Sequence, residues 1–186
     1  LVAHKVAPAL ASGNPIIIKP SSKTPMSALL LAEVAEESGL PKGFLSVLPC
    51  ESRLASPLIK DDRVRMITFT GSAEIGWGIK SRAGSKRVTL ELGGNAAVIV
   101  HDDADIGHAA ERCCAGAFAY AGQVCISVQR IFVQKRAFGE FCDELVELTE
   151  RLKVGDPHDP ATDVGPMLDD ENAERIEGWV DEAKRK

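Results

Sequence analysis

Short apolar runs alternate with helical segments along the first half of the chain, and this alternation limits the fold more than any other feature. Leu1 to Ser12 has apolar residues at Val2, Val6, Ala9 and Leu10, the spacing of a helix, which Gly13-Asn14-Pro15 stops. Ile16-Ile17-Ile18 then forms a β-branched run that reads as a buried strand. Thr24 as N-cap and Pro25 at the first helical position open a helix over Met26 to Ser38, closed by Gly39. Strands are expected at Phe44 to Leu48, Val64 to Phe69 and Arg87 to Leu92, with helices at Glu51 to Lys60 and from Ala73 to about Ala83. Strands joined by helices through short connections predict an α/β fold: a mostly parallel sheet with helices on both faces. Ligands in such folds sit at the carboxyl ends of the strands.

Gly93-Gly94 interrupts this rhythm and is the expected domain boundary, dividing the chain into 1–93 and 94–186. Beyond it, a strand at Ala96 to Val100 leads into the charged turn Asp102-Asp103-Ala104-Asp105, which holds cap candidates. A helix from Ile106 to about Tyr120, a loop carrying Cys125, a strand at Val128 to Val133 and a helix from Phe138 to about Leu152 follow. The loop Gly155 to Pro160 precedes an amphipathic helix over Asp170 to Lys186. The sequence opens at Leu1 inside one helical pattern and closes at Lys186 inside another, so it reads as an internal piece of a longer protein.

The totals exclude several functional classes. With 45% apolar and 26% charged residues, the 186-residue chain has the balance of a soluble globular protein. A net charge of −5 lacks the basic footprint of a general nucleic-acid or membrane-surface binder. No apolar run approaches the ~20 residues that span a membrane, and no signal-peptide layout is present. The five cysteines are odd in number and form no CxxC, which fits a reducing, cytoplasmic compartment rather than a disulfide framework. The four histidines do not cluster, so no metal site is expected.

Four features could carry chemistry. Thr68-Phe-Thr-Gly-Ser-Ala-Glu-Ile-Gly76 is a strand running through a Gly-containing turn into a helix, an arrangement that offers free N–H groups and a helix dipole to phosphate. It is neither a Walker A loop nor GxGxxG, and an ordinary capped turn would look alike. Lys19 ends the first strand, where it could reach a ribose hydroxyl or phosphate or could simply be solvated. Cys125 lies in a loop after Gly122, open to solvent as a reactive thiolate or packed as a structural thiol. Cys113, Cys114 and Cys142 sit within helices and read as packing residues. Glu91 interrupts the apolar alternation Val88, Leu90, Leu92, sharing a face with Arg87 and Thr89, either as a functional carboxylate or as a surface glutamate.

Taken together, these residues resemble the aldehyde dehydrogenase superfamily, in its NAD(P)-dependent, hydrolytic branch. Leu90-Glu-Leu-Gly-Gly-Asn-Ala-Ala97 is similar to that family's glutamate signature, and Phe118-Ala-Tyr-Ala-Gly-Gln-Val-Cys125 to its cysteine signature. Ile18-Lys-Pro-Ser21 with Thr24-Pro25 resembles its adenosine-ribose segment, and Phe69-Thr-Gly-Ser-Ala-Glu-Ile-Gly76 its pyrophosphate turn. All four occur in the family's order across nearly the whole chain. The resemblance implies the C-terminal portion of a Rossmann-like dinucleotide-binding domain over 1–93, then the N-terminal portion of a second, catalytic, cysteine-bearing α/β domain over 94–186.

It further implies the chemistry. Cys125 would attack an aldehyde carbonyl to give a thiohemiacetal, and hydride transfer to NAD or NADP would leave a thioester. Glu91 would activate the water that hydrolyses it. Gly71, Ser72 and Gly76 would position the pyrophosphate, Lys19 the adenosine ribose, and Leu92 and Gly93 would lie beside the nicotinamide. Ser22 stands where NAD-preferring members often carry Glu, so NADP is permitted. The family's oxyanion-hole asparagine and the glutamate that grips the nicotinamide ribose fall outside this sequence. The expected partners are a small-molecule aldehyde and further copies of the chain in a dimer or tetramer, with no nucleic acid and no membrane. A CoA-acylating relative is the close enzymatic alternative, which Glu91 speaks against. A catalytically incompetent nucleotide-binding fragment is the alternative from another class.

Overall fold

The structure is a computed structural model describing residues 1–186. The chain forms two compact units, Leu1–Glu91 and Leu92–Lys186. The first contains α1 (Val2–Ala11), β1 (Ile16–Ile18), α2 (Met26–Glu37), β2 (Leu45–Val47), α3 (Ser52–Lys60), β3 (Met66–Thr70), α4 (Ala73–Arg82) and β4 (Arg87–Glu91). β1 pairs with β2 and β3 with β4, both in parallel, each pair being linked through a helix. Parallel neighbours need such a crossover, because a tight turn cannot reverse the chain twice. The two pairs do not hydrogen-bond to one another, so the sheet expected here is present as short two-stranded ladders. β1 and β2, at three residues each, are shorter than a typical strand and spend their ladder bonds on each other.

The helical stripe of α1 explains the packing of this unit. Val6, Ile18 and Ala28 are buried together, and Val2, Leu10, Ile16, Leu31, Leu45 and Val47 pack around them. Residues from α1, β1, α2 and β2 thus share one core. The start of α2 differs from the expected Thr24 cap. Pro25 occupies the cap position in a helical conformation, with no side-chain cap bond, and its carbonyl accepts from both Ala28 N–H and Leu29 N–H. The pyrrolidine ring already holds φ near the helical value, so no hydroxyl is needed to start the turn.

The second unit holds β5 (Ala96–Val100), α5 (Ile106–Phe118), β6 (Val128–Val133), α6 (Phe138–Glu150) and α7 (Asp170–Arg185). β5 and β6 pair in parallel, with Val98 opposite Ile131 and an irregularity between Ala96 and Ala97. Val100, Ile106, Ala110, Cys113, Ala137 and Phe141 form the core, so α5 and α6 both contribute to it. Phe141 is 2% exposed, and burying a phenyl ring stabilises by about 1.5–3 kcal/mol. Asp105 Oδ1 accepts from His108 N–H at 3.0 Å and caps α5, as the charged turn predicts. α5 packs tightly on β6: a Cβ built on Gly116 would lie 2.8 Å from Val128 Cγ2.

α5 ends at Phe118, short of the expected Tyr120. Tyr120 and Ala121 adopt the left-handed conformation (φ 53 and 55), and Gly122 follows with φ 73. Three successive residues of that hand cannot continue a right-handed helix. They turn the chain abruptly toward Cys125.

Candidate active site

Lys19 and Glu91 lie at strand ends, Gly71 and Ser72 in the turn before α4, Gly76 within α4, and Ser22 and Cys125 in loops. In the first unit β4 finishes at Glu91, directly opposite Thr70, the last residue of β3. Gly71 N–H donates to the Glu91 carbonyl at 3.0 Å, which ties the turn after β3 to the carboxyl end of β4. Arg87, Thr89 and Glu91 are exposed while Val88 and Leu90 are partly covered, so the alternation of a pleated strand turns the glutamate outward. The structure therefore brings Thr70, Gly71 and Glu91 to one strand end.

A cation that the sequence did not single out serves this end of the ladder. Lys5 of α1 is half-buried, and its Nζ donates to Thr68 Oγ1 at 2.9 Å. Burial pushes the Lys5 ammonium below its ordinary value, and the Glu91 carboxylate pulls it back up. The only sequence signal is position: Lys5 follows Val2 by three residues and so interrupts the apolar stripe of α1.

The turn from β3 to α4 has the features of an anion cradle. Ser72 is extended at the start of α4, and no side chain caps the helix, leaving its first N–H groups for other acceptors. Gly71 and Ser72 are exposed, whereas Gly76 is buried, its N–H donating to the Ser72 carbonyl at 3.0 Å. Gly71 also has a packing reason to be glycine, since a Cβ there would lie 2.6 Å from the Phe69 ring. At the end of β1, Lys19 is half-buried and donates to the Pro20 carbonyl at 3.0 Å, and Ser22 is exposed on the connection to α2.

In the second unit Leu92 and Gly93 precede β5, and Cys125 occupies the loop between α5 and β6. Cys125 is exposed, Cys50 and Cys142 are partly covered, and Cys113 and Cys114 are buried. Burial pushes the Cys113 thiol up, so it stays protonated and inert. The Cys125 loop is held at close quarters. A Cβ on Gly94 would lie 2.9 Å from the Cys125 carbonyl oxygen, Ser127 N–H donates to the Val124 carbonyl at 3.0 Å, and buried Ser127 Oγ donates to the Ala117 carbonyl at 3.2 Å. Gln123, also missed in the sequence, donates through Nε2 to the Tyr120 carbonyl at 3.2 Å and accepts from Leu168 N–H at 3.1 Å. Nothing in its spacing advertises that role.

His101, Asp102 and Asp103 bring three potential ligand atoms within 4.8 Å of one another. All three are exposed, and Arg136 lies 3.8 Å from Asp102. The His101 ring is engaged with both carboxylates.

Comparison with known proteins places the chain in a family. A model of the aldehyde dehydrogenase family matches residues 1–186. The chain belongs to the aldehyde dehydrogenase family. It is 50% identical over 184 residues to 3-sulfolactaldehyde dehydrogenase from Priestia aryabhattai, covering 98% of this chain and 39% of that protein. Aldehyde dehydrogenase 21 from Physcomitrella patens, solved with the reaction product succinate, superposes with a TM-score of 0.95 at 44% identity, over 100% of this chain and 39% of that one. Glyceraldehyde-3-phosphate dehydrogenase from Methanocaldococcus jannaschii, complexed with NADP, superposes with a TM-score of 0.91 at 39% identity, over 97% and 41% of the two chains. The chain thus spans about two-fifths of the length of these relatives. No helix is long and apolar enough to cross a membrane.

Proposed function

We propose that the protein containing this chain oxidises an aldehyde to a carboxylic acid with NAD or NADP. Cys125 is the nucleophile and Glu91 the residue that activates water. The observation that carries this reading is the contrast among the cysteines. Cys125 is exposed in the loop that follows the left-handed turn at Tyr120–Gly122, while Cys113 and Cys114 are buried in the core. An accessible thiol can become the reactive thiolate, and a buried one is inert. Cys125 Sγ attacks the aldehyde carbon and forms a thiohemiacetal. Loss of hydride from that carbon leaves a thioester on the same sulfur. Glu91 takes a proton from water, the resulting hydroxide attacks the thioester, and the acid leaves as the thiol is restored.

A dinucleotide fits the groups present, and when bound it supplies the hydride acceptor. Ser72, exposed Gly71 and the uncapped N–H groups at the start of α4 would hold the pyrophosphate, with Gly76 packed beneath them. Lys19 would reach the adenosine ribose, and Leu92 and Gly93 would lie beside the nicotinamide. Ser22 offers no carboxylate to repel a 2′-phosphate, so NADP is permitted as well as NAD. The cytoplasm is the expected compartment, because free thiols must stay reduced for this chemistry. The working form is a dimer or tetramer of the complete protein, and light scattering tests this.

The reading is tested by an aldehyde panel run with NAD and with NADP on the complete protein, beside Cys125→Ser. The panel includes 3-sulfolactaldehyde and the semialdehyde whose oxidation gives succinate. Production of reduced cofactor by the native protein and its loss in Cys125→Ser are expected. Equal turnover by the two proteins would remove Cys125 from the chemistry.

A further inference from the structure

The left-handed turn before Cys125 is costly. Tyr120 and Ala121 both have positive φ, a region where a Cβ crowds the following carbonyl and which such residues rarely adopt. Such backbone persists where its surroundings over-determine it. Gln123 supplies that determination. Its backbone N–H and its side-chain Nε2 both donate to the Tyr120 carbonyl, at 3.1 and 3.2 Å. Its Oε1 accepts from the backbone N–H of Leu168, just ahead of α7, at 3.1 Å. One neutral amide thus fastens the strained turn to a segment 45 residues away in sequence.

We propose that Gln123 is a positioning residue for Cys125, pinning the left-handed turn to the Leu168 segment and so fixing the direction in which the loop presents the thiol. The inference rests on Cys125 being the nucleophile. The choice of an amide follows from the two bonds, since one end must donate to a carbonyl while the other accepts from an N–H. A glutamate keeps the bond to Leu168 but sets a carboxylate oxygen against the Tyr120 carbonyl. A leucine keeps the bulk and loses both bonds. Gly94 confines the loop from another side, where no Cβ fits against the Cys125 carbonyl.

The test uses the full-length protein with Gln123→Leu, Gln123→Glu, Ala121→Gly, the double variant Ala121→Gly/Gln123→Leu, and Cys125→Ser. The readouts are kcat and KM separately, dinucleotide affinity, and the rate at which iodoacetamide labels Cys125, followed by peptide mass spectrometry. Gln123→Leu is expected to lower both kcat and Cys125 labelling on the order of 10-fold, the scale set by sub-ångström misplacement of a reacting group, with dinucleotide affinity unchanged. The double variant recovers part of the labelling rate, because glycine holds positive φ without a clamp. Native rates of labelling and turnover in a folded Gln123→Leu protein would overturn the proposal. If that variant does not fold, Gln123→Glu decides in its place, and native labelling there overturns the proposal equally. Undiminished turnover in Cys125→Ser refutes the underlying assignment instead, and leaves the labelling comparison to judge the clamp.

Discussion

Adding one methyl group at Gly94 perturbs the Cys125 loop without touching a reacting atom. The Cβ of Gly94→Ala would sit 2.9 Å from the Cys125 carbonyl oxygen, whereas carbon–oxygen contacts settle at roughly 3.3–3.6 Å. The oxygen belongs to the backbone, so the loop must retreat by about 0.4–0.7 Å. A 1 Å misplacement near the chemistry can cost about 100-fold, which scales to a loss on the order of 10-fold here, or ~1.4 kcal/mol in the barrier. Gly94 is not among the glycines with positive φ, so alanine introduces no backbone strain of its own. Gly139→Ala in α6 meets nothing within 4 Å and serves as the control, with native turnover expected. The assay is kcat/KM for aldehyde together with alkylation of Cys125. Native values in Gly94→Ala would refute the claim that this contact sets the position of the loop.

Other expectations follow from the same structure. Alkylation of the native protein modifies Cys125 first and Cys113 last, because Cys125 is exposed while burial keeps Cys113 protonated; peptide mapping over time reads the order, and early labelling of Cys113 would contradict it. Lys5→Met removes the bond from Nζ to Thr68 Oγ1 that joins α1 to β3. The same substitution removes a pH dependence of stability. Folding lowers the Lys5 pKa from its usual 10.5, so the cost of burying its charge is present below the folded value and fades as pH rises to 10.5. Native protein thus gains stability across that window relative to Lys5→Met, as denaturant titration would measure. Asp105→Ala deletes the cap on α5 and should cost about 1 kcal/mol, again by denaturant titration.

Local residue choices made much of this architecture readable. Ile16–Ile18 became β1 because three successive β-branched residues suit a pleated strand, and Asp105 caps α5 as its type and position imply. Glu91 faces outward because a strand alternates its side chains. What escaped the sequence is nonlocal or runs against residue preference. Tyr and Ala do not announce positive φ, so the end of α5 and the turn at Tyr120–Gly122 could not be foreseen. The Lys5–Thr68 bond joins residues 63 apart, and Gln123 meets Leu168 across 45. Neither separation leaves a period or motif. Gly71 shows the converse: its place in a phosphate-like turn is legible, while its contact with the Phe69 ring is a fact of packing.

The central claim is that one thiol carries the substrate and one carboxylate releases it. Glu91→Gln in the complete protein, mixed with aldehyde and oxidised dinucleotide, tests it in a single sample. A burst of one equivalent of reduced cofactor per site is predicted, followed by a stall, with the acyl mass found on the peptide containing Cys125. Continued release of free acid at the native rate, or an acyl group on any other residue, would contradict it.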